Sequence, residues 1–299
     1  MKKGYVIKAI QNPKNAFYVV KVNLDLFLGK KIYGNTAGFR HNILGELTRL
    51  KMKKQLSYDN NKLKNPLVAE LDINGYAKLG KFYDDSVIES ILTKYNKIIE
   101  DDAFSTVRTE YKGKIYSRYI NMVYKKIPEI ANLLTNDIRL IIKGHYRGHF
   151  QVHHVLAWRN YHVPPEVVAE KEMFASHWHC DGRDTTRVTL FVNLSDVTDN
   201  NGPLHVQSKQ RTKELVRKGF GGRHDYNLPN DIVEDPRHVV KLTGPKGTAI
   251  LCNPQLCLHR ADIPGHDQQR DILEIRFKPS NEPLYNDWLN RIDETNIVK

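Results

Sequence analysis

The sequence predicts a mainly β protein of the sandwich or jelly-roll class, supported on its N-terminal side by helices. Two observations lead to this prediction. From about residue 138 to residue 278, the chain is a series of short β-rich segments separated by Gly, Pro, Asn and Asp, without intervening helices. Before residue 138, apolar residues recur at helical spacing in several stretches. A chain of 299 residues is long enough for one well-buried core with appendages.

The helical support is predicted from three stretches. Asp84-Asp85-Ser86 provides N-cap chemistry for a helix from about 85 to 100, and a second helix is expected from about 118 to 135, kinked at Pro128. A basic amphipathic helix is expected from His41 to Leu56. The first 35 residues mix β-branched and aromatic side chains with Gly and Asn, which favours strands or an irregular arm.

The β-rich part is expected to contain six short strands, and a final helical segment follows near Tyr285 to Ile292. The strands are Arg139 to Ile142, Phe150 to Trp158, Arg187 to Leu194, His238 to Leu242, Thr248 to Cys252 and Ile272 to Phe277. These patterns divide the chain into a basic N-terminal segment (1–64), a helical support region (65–137), a β core (138–280) and a C-terminal helical tail (281–299).

Composition indicates an ordinary globular protein. No apolar run approaches the roughly 20 residues that a membrane-spanning helix needs. No secretory signal is recognisable behind Met1, and the three cysteines do not form a Cys-x-x-Cys pair. We expect Cys180, Cys252 and Cys257 to be reduced thiols in a cytoplasmic protein, with Cys180 filling space in the core.

Positive charge is concentrated in the first fifth of the chain. Residues 1–64 carry 14 Lys or Arg against three acids, a net charge of +11 out of +12 for the whole chain. Such a segment suits an anionic partner, for example an anionic membrane surface or an anionic substrate, and it is equally compatible with a solvated face. No nucleic-acid motif accompanies the charge, which argues against a nucleic-acid partner.

The most informative motif is His179-Cys180-Asp181, followed by His259 at the end of an apolar stretch. Residues two apart on an extended strand point the same way, so His179 and Asp181 can share one face with a distant second imidazole. Two histidines and one carboxylate are the ligand set of non-haem Fe(II) oxygenases. Arg270 follows at the start of the next strand, where its guanidinium can hold a carboxylate in a bidentate manner.

In these residues the sequence resembles the phytanoyl-CoA dioxygenase family of Fe(II)/2-oxoglutarate oxygenases, over roughly residues 140–280. The motifs that carry the resemblance are Trp178-His179-Cys180-Asp181, Leu194-Ser195-Asp196-Val197 with Asn201-Gly202-Pro203-Leu204, Gly247-Thr248-Ala249-Ile250-Leu251, and His259-Arg260-Ala261 with Arg270. The resemblance implies a double-stranded β-helix core and hydroxylation of an unactivated C–H bond by Fe(II), 2-oxoglutarate and O₂.

The resemblance also implies roles for individual residues. His179, Asp181 and His259 are expected to hold the iron, Arg270 to meet the C5 carboxylate of 2-oxoglutarate, and Asn160 to provide a second contact to this co-substrate. Retention of an acid at Asp181 favours hydroxylation over halogenation. Val206-Gln207-Ser208-Lys209-Gln210 departs from the Pro-Gly-Ser-His that follows the Asn-Gly turn in many relatives, so substrates do not transfer by analogy.

Alternatives remain open around the motif. His177 and His179 could form a cupin-like site with Asp184, and Arg276 could replace Arg270 as the carboxylate clamp, because residues six apart on a strand share a face. Two further features lie near the motif in the sequence. The glycines in Gly219-Phe220-Gly221-Gly222 suit a mobile flap or a surface loop, and Arg183 and Arg187 follow the motif closely enough to meet an anionic substrate or to form surface ion pairs.

The expected substrate is a small molecule or a glycolipid, and an anionic one suits the basic segment. The family it resembles includes bacterial enzymes that hydroxylate the Kdo sugar of lipopolysaccharide, so one expectation is an anionic lipid-linked sugar, met at the inner face of the cytoplasmic membrane by a peripherally bound protein. A soluble small metabolite is the broader alternative. A third reading is a non-catalytic jelly-roll protein that binds polyanions.

Overall fold

The computed structural model describes residues 13–53, 65–120, 122–182, 184–220, 228 and 230–292. Its α-helices are α1 (Pro13–Leu28), α2 (Phe39–Lys53), α3 (Pro66–Asn74), α4 (Asp85–Ile98), α5 (Val123–Lys126), α6 (Asn136–Tyr146), α7 (Pro165–Glu170), α8 (Lys209–Lys218) and α9 (Asn230–Val233). A π-helix (Gly29–Tyr33) continues α1, and 3-10 helices cover Pro128–Leu133, Asp199–Asn201, Pro236–His238 and Trp288–Arg291.

The strands of the described residues form two antiparallel sheets. They are β1 (Tyr76–Lys81), β2 (Ser105–Tyr111), β3 (Lys114–Ile120), β4 (His149–Tyr161), β5 (Val188–Asn193), β6 (Leu204–Gln207), β7 (Val239–Lys241), β8 (Thr248–Cys252), β9 (His259–Ala261) and β10 (Gln269–Ser280). The major sheet has the order β1-β8-β5-β10-β4-β3-β2, and the minor sheet has the order β7-β6-β9.

The two sheets pack against each other around a small apolar core. Phe191 and Ile272 from the major sheet meet Leu204 and Val206 from the minor sheet in one buried cluster. Because each sheet contributes its inner face to this core, the architecture is the sandwich-like jelly roll that the strand pattern predicts. The predicted fold class is confirmed.

Alternation along β10 explains how the site is built. Leu273, Ile275 and Phe277 point to one face of the major sheet, where they join the large core formed with the helices, including Ile88 and Ile91 of α4. The intervening side chains therefore point between the two sheets. This inner face carries Arg270, Ile272, Glu274 and Arg276, all of which line one pocket.

The N-terminal prediction is wrong over the described residues. Residues 13–33 are helical rather than strands or an irregular arm, and residues 1–12 lie outside the described part of the chain. Long-range contacts outweigh the β propensity of this stretch. The Asp25 carboxylate accepts a hydrogen bond of 2.8 Å from the Arg40 N–H, and the backbones of Gly29 and Gly38 approach so closely that a Cβ on Gly29 would clash.

Two further element predictions are wrong. Arg139 to Ile142 is not a strand but part of α6, because Thr135 caps the helix and Ile138, Ile141 and Ile142 bury one helical face. The stretch 118–135 is not one kinked helix: β3 continues to Ile120, and Pro128 starts a separate 3-10 helix. The core also contains helices between its strands, notably α8, which the sequence pattern did not reveal.

Other element predictions are confirmed. Helix α4 begins at Asp85 after Asp84, α2 covers most of the predicted 41–56 helix, and the Thr248–Cys252 strand matches the prediction at both ends. The predicted support region also contributes β1, β2 and β3 to the major sheet, while the domain boundaries remain a prediction. All three cysteines are free, and Cys180 packs beside the Trp178 cluster. Among the described helices, none is long and apolar enough to cross a bilayer.

Candidate metal centre and the surrounding pocket

Backbone hydrogen bonds bring the distant parts of the predicted metal motif together. The His179 N–H donates to the His259 carbonyl at 3.0 Å, and the His259 N–H donates to the His179 carbonyl at 2.9 Å. The Asp181 N–H donates to the Pro254 carbonyl at 2.8 Å. His179 therefore adds an isolated bridge to β9, beside the minor sheet, and Asp181 follows on the same extended segment.

Both imidazoles present the same nitrogen to Asp181. His179 Nδ1 lies 2.7 Å from the His177 carbonyl and His259 Nδ1 lies 3.1 Å from the Cys257 carbonyl. A carbonyl oxygen only accepts, so each Nδ1 carries the proton and each Nε2 keeps its lone pair. The Nε2 atoms lie 3.4 Å and 3.6 Å from Asp181 Oδ1. This is the tautomer that a metal ligand requires, oriented by a backbone carbonyl.

The three side chains form a candidate metal site, since one ligand atom from each lies within 4.8 Å of the others. His179 and His259 are buried, at 5% and 7% exposure. Burial alone would raise the pKa of the Asp181 carboxyl, but the adjacent His179 and His259 side chains, with the charge of Arg276, outweigh burial and hold its pKa well below the ordinary value. The carboxylate is therefore ionised and available as a ligand.

The inner side chains of β10 and β4 line a pocket beside these residues. Its volume is about 90 Å³. The lining residues are Arg108, Trp158, Phe174, Ala175, His179, Asp181, Phe191, Leu204, His259, Ala261, Arg270, Ile272, Glu274 and Arg276. Apolar walls with a few convergent charged groups are typical of a site for a small ligand.

Arg270 is buried at one end of this pocket, with 2% exposure. Its Nη1 donates to the Gly202 carbonyl, and among the described residues its Nε has no hydrogen-bond partner and no carboxylate forms an ion pair with it. Burial lowers the pKa of Arg270 to about 10, so the guanidinium stays charged at neutral pH. An unpaired buried cation is costly, which indicates that a bound anion completes this site.

Asn160 lies directly opposite Arg270 in the pairing of β10 with β4. Its Oδ1 accepts a hydrogen bond of 2.8 Å from Ser117 Oγ, so Nδ2 is oriented as a donor. Within the described part of the chain, neither Asn160 Nδ2 nor the nearby Trp158 Nε1 has a partner, and both are buried. By the strand register the three donors share one sheet face, where Arg270 and Trp158 line the pocket and Asn160 does not. Buried donors in this arrangement fit the distal carboxylate of an oxo-acid.

Arg276 occupies a different position on the same face. Its Nη2 lies 2.7 Å from Oε1 of Glu274, which is buried, and both residues line the pocket near the metal ligands. Burial raises the pKa of Glu274, and the charge of Arg276 counteracts part of that rise. Arg276 thus already has an acidic partner, which makes it a poorer candidate than Arg270 for the carboxylate clamp.

The cupin-like alternative is not assembled. His177 stays outside the metal group found among the described residues, and its Nδ1 lies 3.9 Å from Glu172 Oε2. Asp184 instead accepts hydrogen bonds from the Thr186 N–H at 3.0 Å and the Thr186 hydroxyl at 2.6 Å. Arg183 and residues 221–227 of the glycine-rich segment lie outside the described residues.

Sequence reasoning missed Arg108 and Glu274 as pocket residues. Arg108 comes from β2, in the region predicted to be helical, and its guanidinium lies 4.9 Å from the centre of the Trp158 ring. The alternating Ser105–Tyr111 stretch before Lys112-Gly113 was the signal for a hairpin. Glu274 was visible only as an acid in an apolar strand, two residues before Arg276.

Comparison with known proteins supports the same reading of the fold. No protein-family model matches the chain. A curated relative, L-proline trans-4-hydroxylase from Streptomyces griseoviridis, is 31% identical over 133 residues, which cover 38% of this chain and 48% of the relative. The chain therefore spans about half the length of the curated relative that it matches.

Solved structures match over more of the chain at lower identity. SnoN, a non-haem α-ketoglutarate-dependent epimerase from nogalamycin biosynthesis, matches with a TM-score of 0.56 and 14% identity, covering 80% of this chain and 93% of SnoN. EctD from S. alaskensis, solved with 2-oxoglutarate and 5-hydroxyectoine, matches with a TM-score of 0.53 and 17% identity, covering 75% and 79%.

Fold and site together define a class. The chain has the jelly-roll fold of the Fe(II)/2-oxoglutarate oxygenases and carries a candidate metal site of two histidines and one aspartate inside it. The predicted resemblance to the oxygenases of the phytanoyl-CoA dioxygenase type is supported by the L-proline trans-4-hydroxylase match, and the solved neighbours support the fold.

Proposed function

We propose that this protein is an Fe(II)/2-oxoglutarate-dependent dioxygenase that hydroxylates an unactivated C–H bond, with His179, Asp181 and His259 as iron ligands. One observation carries the proposal. Two Nε2 lone pairs and one carboxylate converge within 4.8 Å, and each Nδ1 is anchored to a backbone carbonyl. Such a set holds Fe(II) on one face and leaves positions for co-substrate and O₂.

The proposal assigns 2-oxoglutarate to the pocket between the metal ligands and Arg270. Arg270 would pair with the distal carboxylate, and Asn160 Nδ2 would donate a hydrogen bond to the same group. The support is the set of buried donors that have no partner among the described residues. A dianion bound there would accept hydrogen bonds from these donors, whose burial without a partner otherwise costs free energy.

When bound, Fe(II) with 2-oxoglutarate and O₂ supplies the oxidation, and 2-oxoglutarate leaves as succinate and CO₂. The protein contributes positioning and dryness. His179, Asp181 and His259 act as ligands rather than as acid–base groups, and Phe191, Leu204 and Ile272 wall the pocket with apolar surface that excludes water.

Two substrate classes follow from different observations. A soluble carboxylic metabolite is supported by the curated relative, whose name states that it hydroxylates L-proline. An anionic lipid-linked sugar, such as the Kdo of lipopolysaccharide, is supported by the basic N-terminal segment. Cytoplasmic location is compatible with both classes.

Apolar side chains on α1 and α2 support the lipid alternative. Val20, Leu24 and Phe27 lie on one face of α1, and Leu44, Leu47 and Leu50 form a stripe on α2, each at least 50% exposed. Exposed Lys21, Lys31, Arg40 and Lys51 accompany them. Exposed apolar stripes flanked by basic side chains are typical of helices that lie on anionic membranes.

Two assays test these alternatives. Succinate formation that requires Fe(II) and is stimulated by L-proline or a related metabolite would support the soluble class. Co-flotation with anionic but not zwitterionic liposomes, reduced in Leu47→Glu, would support the lipid class; Leu140→Glu, an exposed leucine on α6, is the matched control. Succinate formation that no added metal stimulates would contradict the proposed chemistry.

A further inference from the structure

Basic side chains gather on the inner face of the major sheet, beyond the metal ligands. Arg276 faces His154 on β4 and Thr189 on β5 in the strand register. A register shift at Arg276/Phe277 leaves His153 as the extra residue beside His154. Arg187 precedes β5. We call Arg187, Arg276, His153 and Thr189 the oxyanion cluster.

Buried polar atoms of this cluster lack hydrogen-bond partners. They are Arg276 Nε, Arg187 Nε, His153 Nδ1 and Thr189 Oγ1, none of which is bonded to any residue that the structure describes. Buried polar groups in folded proteins are normally satisfied by protein, water or ligand. These four unsatisfied groups lie on or next to the neighbouring strands β4, β5 and β10, and Arg276 also lines the pocket, so together they indicate a place for a polar ligand.

The electrostatic environment specifies the sign of that ligand. Burial and the charges of Arg187, Lys278 and Arg276 lower the pKa of His153 to about 4, so its imidazole is neutral. The nearby acids offset the charges of the two arginines unequally. Glu274 Oε1 lies 2.7 Å from Arg276 Nη2, whereas Asp184 Oδ2 lies 4.0 Å from Arg187 Nη2. Two of the unsatisfied donors, Arg276 Nε and Arg187 Nε, belong to charged guanidinium groups, so the ligand that complements them is an anion.

The cluster is separate from the Arg270 end of the pocket. The backbone positions of Arg270 and Arg276 are six residues apart on one strand face, about 20 Å at 3.3 Å per residue, and their side chains line the same pocket from its two ends. Asp181 is close enough to Arg276 for the guanidinium to help lower the pKa of the carboxyl, so the metal ligands lie near the Arg276 end. A ligand held at Arg276 can therefore reach the metal centre without occupying the site assigned to 2-oxoglutarate.

We infer that the oxyanion cluster binds an anionic group of the primary substrate, a carboxylate or a phosphate, and so orients the substrate at the metal centre. Arg276 and Arg187 donate to the oxyanion, with His153 and Thr189 as neutral hydrogen-bond partners. Glu274 holds Arg276 through Nη2 and leaves Nε as the donor to the ligand. This inference rests on the proposed function for its catalytic meaning, but the anion site itself exists independently of the metal.

The test uses the smallest anions of each kind. Protein loaded with Zn(II) and saturating 2-oxoglutarate is titrated with acetate, inorganic phosphate or neutral acetamide, and the imidazole NMR signals of His153 are followed, assigned with His153→Gln. We expect saturable shifts with acetate or phosphate and none with acetamide. The anion that binds with the higher affinity indicates whether the substrate presents a carboxylate or a phosphate.

Two variants and one control locate the site. Arg187→Gln leaves the Glu274 ion pair intact and is expected to weaken anion binding about tenfold, the usual effect of losing a charged hydrogen bond. Arg276→Gln is expected to do the same, with thermal melting as the check on folding. Arg237→Gln, a highly exposed arginine paired with Asp235, is the matched control and should bind anions like wild type.

Either of two results would overturn the inference: absence of saturable shifts at His153, or unchanged anion affinity in Arg187→Gln. The same titration on metal-free protein separates this inference from the proposed function. Anion binding without any Fe(II)/2-oxoglutarate binding would leave the site standing and remove its role in oxygenase chemistry.

Discussion

His179 and His259 exchange both of their backbone hydrogen bonds, and their imidazole centres lie 4.3 Å apart as a result. The polypeptide, rather than a metal, therefore brings the two rings together. Asp181 joins them through its own backbone bond to Pro254. The candidate metal centre is thus part of the β framework, which leads to the first prediction.

Removal of metal is expected to leave the protein folded. Because backbone bonds hold the ligands in place, chelation should preserve the near-ultraviolet circular dichroism and lower only the melting temperature. The free energy of unfolding should fall by the stabilisation that metal binding contributes, about 2.7 kcal/mol when free metal exceeds its dissociation constant a hundredfold. Calorimetry with and without chelator measures it. Complete unfolding on chelation would show that the metal, not the sheet, assembles the site.

Arg270 and Asn160 are expected to contribute unequally to 2-oxoglutarate affinity. Arg270→Gln removes a buried cation and should raise the dissociation constant at least about tenfold, whereas Asn160→Ala removes one neutral donor and should raise it a few-fold. Anaerobic titration of the Fe(II) form measures both. Equal 2-oxoglutarate affinity in Arg270→Gln and wild type would exclude Arg270 as the residue that binds the distal carboxylate and would favour Arg276 instead.

Tyr95 is expected to stabilise the junction between α4 and the major sheet. Its hydroxyl donates to Asp271 Oδ1 at 2.8 Å, and Arg159 binds the same carboxylate at 2.7 Å and 2.9 Å, all buried. Tyr95→Phe should reduce the free energy of unfolding by about 1.5–3 kcal/mol, because a buried charged acceptor loses one donor. Urea unfolding measures the loss.

Tyr111→Phe is the matched control for that measurement. The Tyr111 hydroxyl donates to Glu170 at the surface, where removal should change the free energy of unfolding by no more than about 0.5 kcal/mol. Similar losses in the two variants would show that the Asp271 network contributes no more than a surface hydrogen bond.

His154 is expected to make stability depend on pH. Burial, followed by the charge of Arg276, lowers the pKa of His154 to about 4, while an unfolded histidine titrates near about 6.5. Between these values the unfolded chain binds the proton and the folded chain does not, so stability falls as pH decreases through this window. His154→Gln should make the fall shallower.

Urea midpoints at pH 7 and pH 5 measure this effect, with the exposed His266→Gln as the matched control. An unchanged difference between the two midpoints in His154→Gln would contradict a buried neutral imidazole. The pKa of His153 is also lowered to about 4, so His153 is expected to add to the loss of stability at low pH.

Local sequence patterns predicted much of the site and less of its surroundings. His179, Asp181 and His259 were identifiable because ligand chemistry restricts residue type and strand alternation restricts spacing. The helical character of residues 13–33 was not identifiable, since it depends on long-range contacts such as Asp25 with Arg40. Arg108 was missed for a similar reason: its position over Trp158 requires the pairing order β4-β3-β2, which no local pattern contains.

The most direct measurement is an anaerobic titration with Fe(II) and 2-oxoglutarate, followed by the visible metal-to-ligand charge-transfer band. Wild type should develop the band, His259→Gln and His179→Ala should lack it, and Arg270→Ala should require more 2-oxoglutarate to reach it. Arg187→Gln, a variant of the oxyanion cluster, should retain the band. No band in wild type, or an undiminished band in both histidine variants, would contradict the proposed iron and 2-oxoglutarate chemistry.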